Sequence, residues 1–534
     1  MTPTVPGTQL IENPLRALFF AAHATPTYDL AQEPWIPVVY LDGTRSKVGA
    51  KDLFADAHAI ADLGESDPLV RAALRRYLTA MAARLVQLSG SQDKLAWNSR
   101  LSASSGFTSG EVASLMTDQR DQLWLFHPQS PFMQDARFLQ TERRFDNNWD
   151  TSSDELLTPL PGSTSRAWAF KPGDPGVHAG LSWEHAARAV VARWYYGLSG
   201  NGGGGDMGGA FPNGTSDAPL THAFRIDPNG LFGSLLRNVP KFVLDSPPSP
   251  VSGLAWADSY RPRIGGDGLY RYTTTATACL LGPVGKDARI HQILRGSIDD
   301  PTGSKDTRKA AKQAARDDDP HRVRRALDAK GKARSDVRLW ADEPPLRRLA
   351  VLRRGMIETG TLAATGVVKD NDLWLSGAIR RFDETLELTV ANLAGAATSP
   401  QWAATGTVTI PAAQLDPEWS KSPDVDALID IGFGEHGVYP TIRYAIGRVF
   451  QGQEDPKKST IGAALAASAW QRWLSEAEVI TAAALAGTLT LDEADAALWR
   501  AGRNSVRTVL APYASTTRYA GGVVQAVAAV RSRA

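Results

Sequence analysis

Apolar residues recur at Leu69, Ala73, Leu74, Tyr77, Leu78, Met81, Leu85 and Leu88, a three-and-four spacing that lines one face of a helix. Ser66-Asp67-Pro68 opens that helix: Asp67 can cap the free amides of the first turn, and Pro68 suits the first helical position because its missing N–H costs nothing there. Upstream, the run from Tyr28 alternates into a short strand that ends at the turn Asp42-Gly43, with Val38 and Tyr40 on one face and Val39 and Leu41 on the other. Trp183 to Tyr196 is a second helix candidate. From Phe211 to Pro411 short strands alternate with Pro and Gly turns. After Pro411 the pattern becomes alanine-rich and helical over Ala427–Phe450, Ile461–Ile480, Asp492–Ala511 and Thr516–Arg531, although Gly432, Gly434, Gly437 and Pro440 should break the first of these. Leu498, Trp499, Val506, Val509 and Leu510 share one helical face, while Arg472, Arg503, Arg507 and Arg518 fall on others. The expected fold is α+β: a large mixed α/β domain over 1–411 followed by an all-α four-helix bundle over 412–534.

A chain of 534 residues with 43% hydrophobic content is too long for one ordinary core and rich enough for two or more. Cys279 is the single cysteine, which excludes an intramolecular disulfide and a cysteine-cluster zinc site and suits a reducing cytoplasm. No apolar run approaches the roughly 20 residues that span a bilayer. Leu15–Ala22 is apolar, but its flanks, with Glu12 just upstream, make a poor signal peptide. The expectation is a cytoplasmic protein with no membrane partner. Its net charge of +1 hides a polarised distribution. Between Lys305 and Arg354, 16 Lys and Arg stand against 8 Asp and Glu, a local balance of +8 that leaves about −7 for the remainder. Such a stretch is either a solvated charged face or a surface that tracks phosphates.

Between Leu198 and Pro219 the chain reads LSGNGGGGDMGGAFPNGTSDAP, so this stretch presents backbone rather than side chains. Without Cβ atoms, main-chain N–H groups can approach a phosphate or a nucleic-acid groove closely, although a flexible surface loop would have the same composition. No Lys-Ser or Lys-Thr follows the glycines, so a Walker A loop is excluded, and HExxH and a strand-borne G-x-S-x-G elbow are absent. His127, His222 and His321 are scattered along the chain and read as structural or surface residues. Asp317-Asp318-Asp319, followed by Pro320, reads as a helix stop or turn rather than a metal cluster, because adjacent carboxylates point apart. No catalytic residue, metal or cofactor is assigned.

The segments LAQEPWIPV, DPLVRAALRRYLTAMAARL and LWLFHPQSPFMQ resemble the opening of the large subunit of the type I-E CRISPR surveillance complex Cascade, the CasA family. LSWEHAARAVVARWYYG then leads into the glycine run, and GLFGSLLRNVP, DPHRVRRALDAKG at Asp319–Gly331 and a helical tail follow in the family's order. LAWADSYRP and YRYTTTATACLL match only loosely. The resemblance implies a non-enzymatic, DNA-binding subunit in RNA-guided antiviral defence. Such a subunit finds the protospacer-adjacent motif (PAM) on double-stranded DNA, helps open it, holds the displaced strand and recruits a helicase–nuclease. Its partners would be a guide RNA ribonucleoprotein and the other Cascade subunits. Guide pairing reads the long sequence and protein reads only the short duplex element.

Residue by residue, the resemblance implies motif recognition by Gly208, Gly209, Asn213 and Gly214 from the minor groove, whose acceptor pattern barely distinguishes A·T from T·A. It implies that Lys330 and Lys332 lie beside the motif, that Gln401 in SPQWA is a wedge under the first base pair, and that Ser163, Thr164, Ser165 and Phe170 contact the guide's end. Two alternatives stay open on the residues alone. One is a generic ribonucleoprotein scaffold; the other is a phosphate-ester hydrolase that uses the glycine loop as an anion nest, with Asp319 or His321 contributing.

Overall fold

The computed structural model describes residues 14–90, 105–134, 180–196, 220–239, 277–282, 287–297, 319–323, 345–357, 385–394, 401–411, 423–450, 460–485 and 487–531, with short pieces at 96, 99–101, 138, 150–152 and 329. The chain divides into two units: Met1–Arg324 with Leu362–Ala412, and Arg325–Thr361 with Ala413–Ala534.

The first unit is mixed. Its described strands are β1 (Thr27–Asp29), β2 (Ile36–Tyr40), β3 (Arg45–Val48), β4 (Ile60–Leu63), β5 (Trp124–Phe126), β6 (Asp150–Ser152), β7 (Leu220–Ile226), β8 (Thr277–Leu281), β9 (Gln292–Ser297), β10 (Thr385–Ala394) and β11 (Gln401–Pro411). Its helices include α1 (Pro14–Ala22), α2 (Ala50–Ala55), α3 (Pro68–Leu88), α4 (Ser109–Asp118), α5 (Trp183–Tyr196) and α6 (Leu231–Arg237). The strands form small antiparallel sheets, ordered β1-β5, β3-β2-β4, β6-β9-β8 and β11-β10-β7.

Helix α3 sits at the centre. Asp67 caps it by accepting from the amides of Leu69 and Val70, with Pro68 at the start. The one-faced apolar pattern understates its burial, because nearly every residue from Ala72 to Ala83 is buried, Arg75 and Arg76 among them. It packs on α4, α5, α6, β10 and β11. Trp35 fills the space between α3 and the sheets, with Tyr77 and Phe132 packed round its ring. Gly230, which opens α6, has φ +128° and a position where a Cβ would lie 2.7 Å from the Ile60 carbonyl oxygen, so only glycine fits there.

The second unit is helical: α7 (Pro345–Val351), continuing into a wider π-type turn, then α8 (Pro423–Phe433), α9 (Val438–Val449), α10 (Thr460–Leu485), α11 (Leu491–Ala514) and α12 (Thr517–Ala529). The expected helix 427–450 is indeed broken, between Phe433 and Val438, and Pro440 is accommodated in the first turn of α9. Leu498, Trp499, Val506 and Leu510 of α11 are buried, and Val509 packs at the margin of the same core. Trp473 is buried and donates from Nε1 to the Leu498 carbonyl, 3.0 Å. At Gly502 a Cβ would come within 2.7 Å of Val438, which is what lets α11 lie close to α9. Among the described residues no helix is long and apolar enough to cross a membrane.

Candidate nucleic-acid interface

Two adjacent arginines in the middle of α3 organise the polar interior of the first unit. Arg76 donates to Asp319 Oδ2 at 2.7 Å and to His222 Nε2 at 3.2 Å, and its guanidinium lies 4.8 Å from the centre of the Tyr195 ring. Accepting from Arg76 through Nε2 leaves the His222 proton on Nδ1. Asp319 Oδ1 accepts the amide of His321, 3.0 Å, which shapes the turn at Pro320. The His321 ring stacks on Phe224 and donates to the Asn238 carbonyl, 3.1 Å, while Tyr196 meets His222 edge-on. All of these side chains are buried. Removing one partner of such a pair strands a charge in the interior, at a cost of about 3–5 kcal/mol.

The electrostatics follow from that burial. Burial pushes the Asp319 carboxyl up, but the Arg76 guanidinium and the two histidines outweigh it and hold Asp319 below the usual carboxylate range. Burial, reinforced by Arg76, lowers His222 to about 4 and His321 to about 3. Near neutral pH the group is therefore one cation, one anion and two neutral imidazoles. None of them is poised to trade protons at neutral pH, so the arrangement suits holding backbone in place rather than acid–base chemistry.

The backbone held in this way is that of β7 and the segment 319–323. The Ala223 amide donates to His321 O at 2.7 Å and the Val323 amide to Thr221 O at 3.0 Å, forming an antiparallel bridge between His222 and Arg322. Further along the same edge, the Asn238 side chain accepts from the Arg225 amide and donates to the Arg225 carbonyl, standing in for a strand. On its other edge β7 pairs with β10, Leu220 opposite Ala391. A second arginine clamp fastens that hairpin to α3: Arg71 binds Glu387 Oε2 at 2.8 Å and Thr407 Oγ1 at 3.1 Å, and Arg75 binds Asp62 at 2.9 Å and lies 3.5 Å from Glu387.

One end of the sheet β11-β10-β7 therefore gathers the return of the glycine-rich stretch and the start of β11, with a segment of the basic stretch bridged alongside. The glycine-rich stretch leaves α5 after Tyr196 and returns at Leu220, the first residue of β7. The basic stretch continues from the bridge at Arg322–Val323. Gln401 begins β11 opposite Ala394, three residues beyond the Leu220–Ala391 pair, or about 10 Å at strand rise.

Gln401 thus stands on a strand of a β-hairpin rather than in a loop. Gly208, Gly209, Asn213, Gly214, Lys330, Lys332, Ser163, Thr164, Ser165 and Phe170 lie outside the described residues, as do Asp317 and Asp318. Asp319 is more than a turn residue, since it is the buried counter-ion of Arg76. His222 and His321 are not scattered in space; both flank Asp319, while His127 stands apart and accepts the amides of Gln129 and Ser130. Sequence reasoning passed over Arg71, Arg75 and Arg76. The signal for Arg75 and Arg76 was a pair of adjacent arginines flanked by apolar residues in the middle of α3. Among the described residues no group of three or more His, Cys, Asp or Glu is placed to hold a metal ion.

Residues 29–279 match the family model of the CRISPR-associated protein Cse1. A CRISPR-associated protein CasA/Cse1 of Thermus thermophilus is 35% identical over 112 residues, which is 20% of this chain and 21% of that relative. The fold is similar to the solved structure of Thermus thermophilus CasA (Cse1), with a TM-score of 0.61 at 19% identity, covering 95% of this chain and 98% of that one. It is also similar to a chain of a CRISPR RNA-guided surveillance complex, with a TM-score of 0.62 at 17% identity, covering 95% and 99%.

Proposed function

We propose that this chain, whose residues 29–279 match the family model of the CRISPR-associated protein Cse1, is a non-catalytic subunit of an RNA-guided CRISPR surveillance complex of the Cascade type. It reads the protospacer-adjacent motif on double-stranded DNA, helps open the duplex and presents a surface to a helicase–nuclease. The observation that carries this is that the glycine-rich stretch rejoins the sheet at Leu220, at the same end at which the Gln401 strand of the hairpin begins. A duplex laid across that end would meet a backbone-rich reader beside the start of the Gln401 strand. Gly208, Gly209, Asn213 and Gly214 serve as the reader in the minor groove, where main-chain donors meet A N3 and T O2. Lys330 and Lys332 neutralise phosphate and set orientation without reading sequence. Gln401 wedges under the first base pair, and Ser163, Thr164, Ser165 and Phe170 meet the end of the guide. The helical unit, as a bundle, faces the displaced strand and neighbouring subunits.

The hydrolase alternative loses its candidate residues, because Asp319 is committed to Arg76 and His321 is buried against Phe224 and Asn238. The test is reconstitution of the guide ribonucleoprotein with and without this chain, measuring affinity for duplexes that carry or lack the motif. Motif discrimination that appears only when the chain is present is the expected result. Equal affinity for both duplexes in the complete complex would instead indicate a generic scaffold.

A further inference from the structure

The helical unit carries its charge unevenly. Asp495 is the last acidic residue of the sequence, and the stretch after it holds six arginines and no Asp or Glu. Helix α9 likewise has Arg443 and Arg448 and no carboxylate side chain, and α12 packs on both α9 and α11. Two arginines beside the α9–α12 seam lie over tyrosine rings: Arg448 over Tyr444 at 5.7 Å, and Arg518 over Tyr519 at 5.8 Å. The seam is marked by Gly522, where a Cβ would stand 3.4 Å from the Cα of Val449, the residue after Arg448. Tyr519 is anchored against Phe450 and Tyr513, with ring centres 5.4 and 5.8 Å away, whereas Tyr444 is 60% exposed. Two further glycines on these helices are not required by the unit's own packing. A Cβ at Gly447 or Gly521 would meet nothing within 4 Å among the described residues, yet glycine is a far weaker helix former than alanine. Gly447 follows Tyr444 by three residues and Gly521 follows Arg518 by three, so both leave backbone open beside the arginine–tyrosine pairs.

Charge of one sign beside an exposed aromatic ring is the combination that holds a single strand without regard to its sequence, because cations follow the phosphates and every base has a face to stack. Once a duplex opens, the guide pairs one strand and the other is left with its bases unpaired. We infer that the outer side of the α9–α12 seam seats the displaced DNA strand by its bases as well as its phosphates: Tyr444 stacks a base, and Arg448 and Arg518 neutralise phosphate on either side of the seam. This rests on the proposed function and assigns the strand to one face of the helical unit. Loss of the seat should therefore shorten the time a duplex stays open without affecting a target that has no displaced strand to hold.

The experiment uses the assembled guide complex and follows how long a guide-matched duplex stays open, on a fully paired target and on one whose displaced strand is cut away beyond the motif. Tyr444→Leu removes the ring and keeps apolar bulk, and Arg448→Gln combined with Arg518→Gln removes both charges. All three residues are exposed, so the helical unit keeps its fold and the complex assembles. On the fully paired target the expected result is an open lifetime about tenfold shorter for Tyr444→Leu. The arginine variant should also shorten it and reduce the log–log salt slope by about 0.7 for each arginine lost. On the cut target both variants should match wild type. An unchanged lifetime on the paired target in either variant overturns the inference. An equal loss on both targets overturns it too, and would mark the face as a seat for a neighbouring subunit. Motif discrimination, measured on the same complexes, separates the two readings. If the wild type does not discriminate, the proposed function itself fails; if it discriminates while Tyr444→Leu holds the duplex open as wild type does, only the seat on α9 and α12 fails.

Discussion

Acidification should loosen the first unit well before its carboxylates titrate, and His222 is the residue that makes this measurable. In the folded chain burial, with Arg76 beside it and Arg322 nearby, lowers the imidazole from its ordinary 6.5 to about 4, although Asp319 at 3.6 Å pulls the other way. Tyr196 and Phe224 close the surroundings of the two histidines, and His321 is lowered to about 3 by the same burial and the same guanidinium. A folded value below the unfolded one gives stability that is complete above pH 6.5 and is lost as pH falls from 6.5 towards 4, because the unfolded imidazole takes a proton that the folded one refuses. At pH 5, linkage with these values gives a loss of about 2 kcal/mol for His222 relative to pH 7. His321 adds a similar amount, less than additively because both face Arg76. The Asp319–Arg76 pair holds through this window, and its contribution falls only below the ordinary carboxylate range. The assay is urea unfolding at pH 7 and pH 5, with protection of the β7 amides from exchange as the local readout. His222→Gln keeps an acceptor for Arg76 without a titrating ring, and should cut the acid loss by about 2 kcal/mol. An equal acid loss in wild type and His222→Gln, or a His222 ring resonance that titrates near 6.5 in the folded protein, would refute the reasoning.

Replacing Lys330 and Lys332 with alanine should weaken duplex binding uniformly across sequences and reduce the log–log salt slope by about one unit for each phosphate that is no longer neutralised; an unchanged slope would remove both lysines from the phosphate path. Gln401→Ala should leave initial motif binding near wild type and slow strand opening on fully paired DNA, read with 2-aminopurine beside the motif, because unstacking of about a few kcal/mol must then come from guide pairing alone. Pre-opened targets should rescue it.

Elements whose signal is local were legible in the chain. Asp67-Pro68 announces α3, Trp183–Tyr196 is α5 to the residue, and the glycines between Phe433 and Val438 split the first C-terminal helix where backbone freedom is greatest. Elements whose signal is long-range were not. Arg76 meets Asp319 and His222 across 243 and 146 residues, and nothing in helical periodicity tells a buried arginine from a solvated one until its counter-ion is placed. The same holds for Asp319, which looks like any aspartate before a proline, and for Gln401, whose strand exists only because β10 pairs with it. Of the proposed site, the chemistry was legible as a glycine-rich backbone and a basic run. Their common foothold was not, because it is made by a ladder between residues 221–223 and 321–323.

The central claim is that the glycine-rich stretch reads the motif through its backbone. Gly209→Val in the reconstituted complex tests it most directly, since a β-branched side chain would occupy the space that the groove floor needs. Affinities for two duplexes that differ only in the motif give the result: wild type discriminates, and the variant should bind both with the weak affinity of the motif-less duplex while its guide ribonucleoprotein assembles normally. A Gly209→Val complex that still discriminates as wild type does would contradict the account.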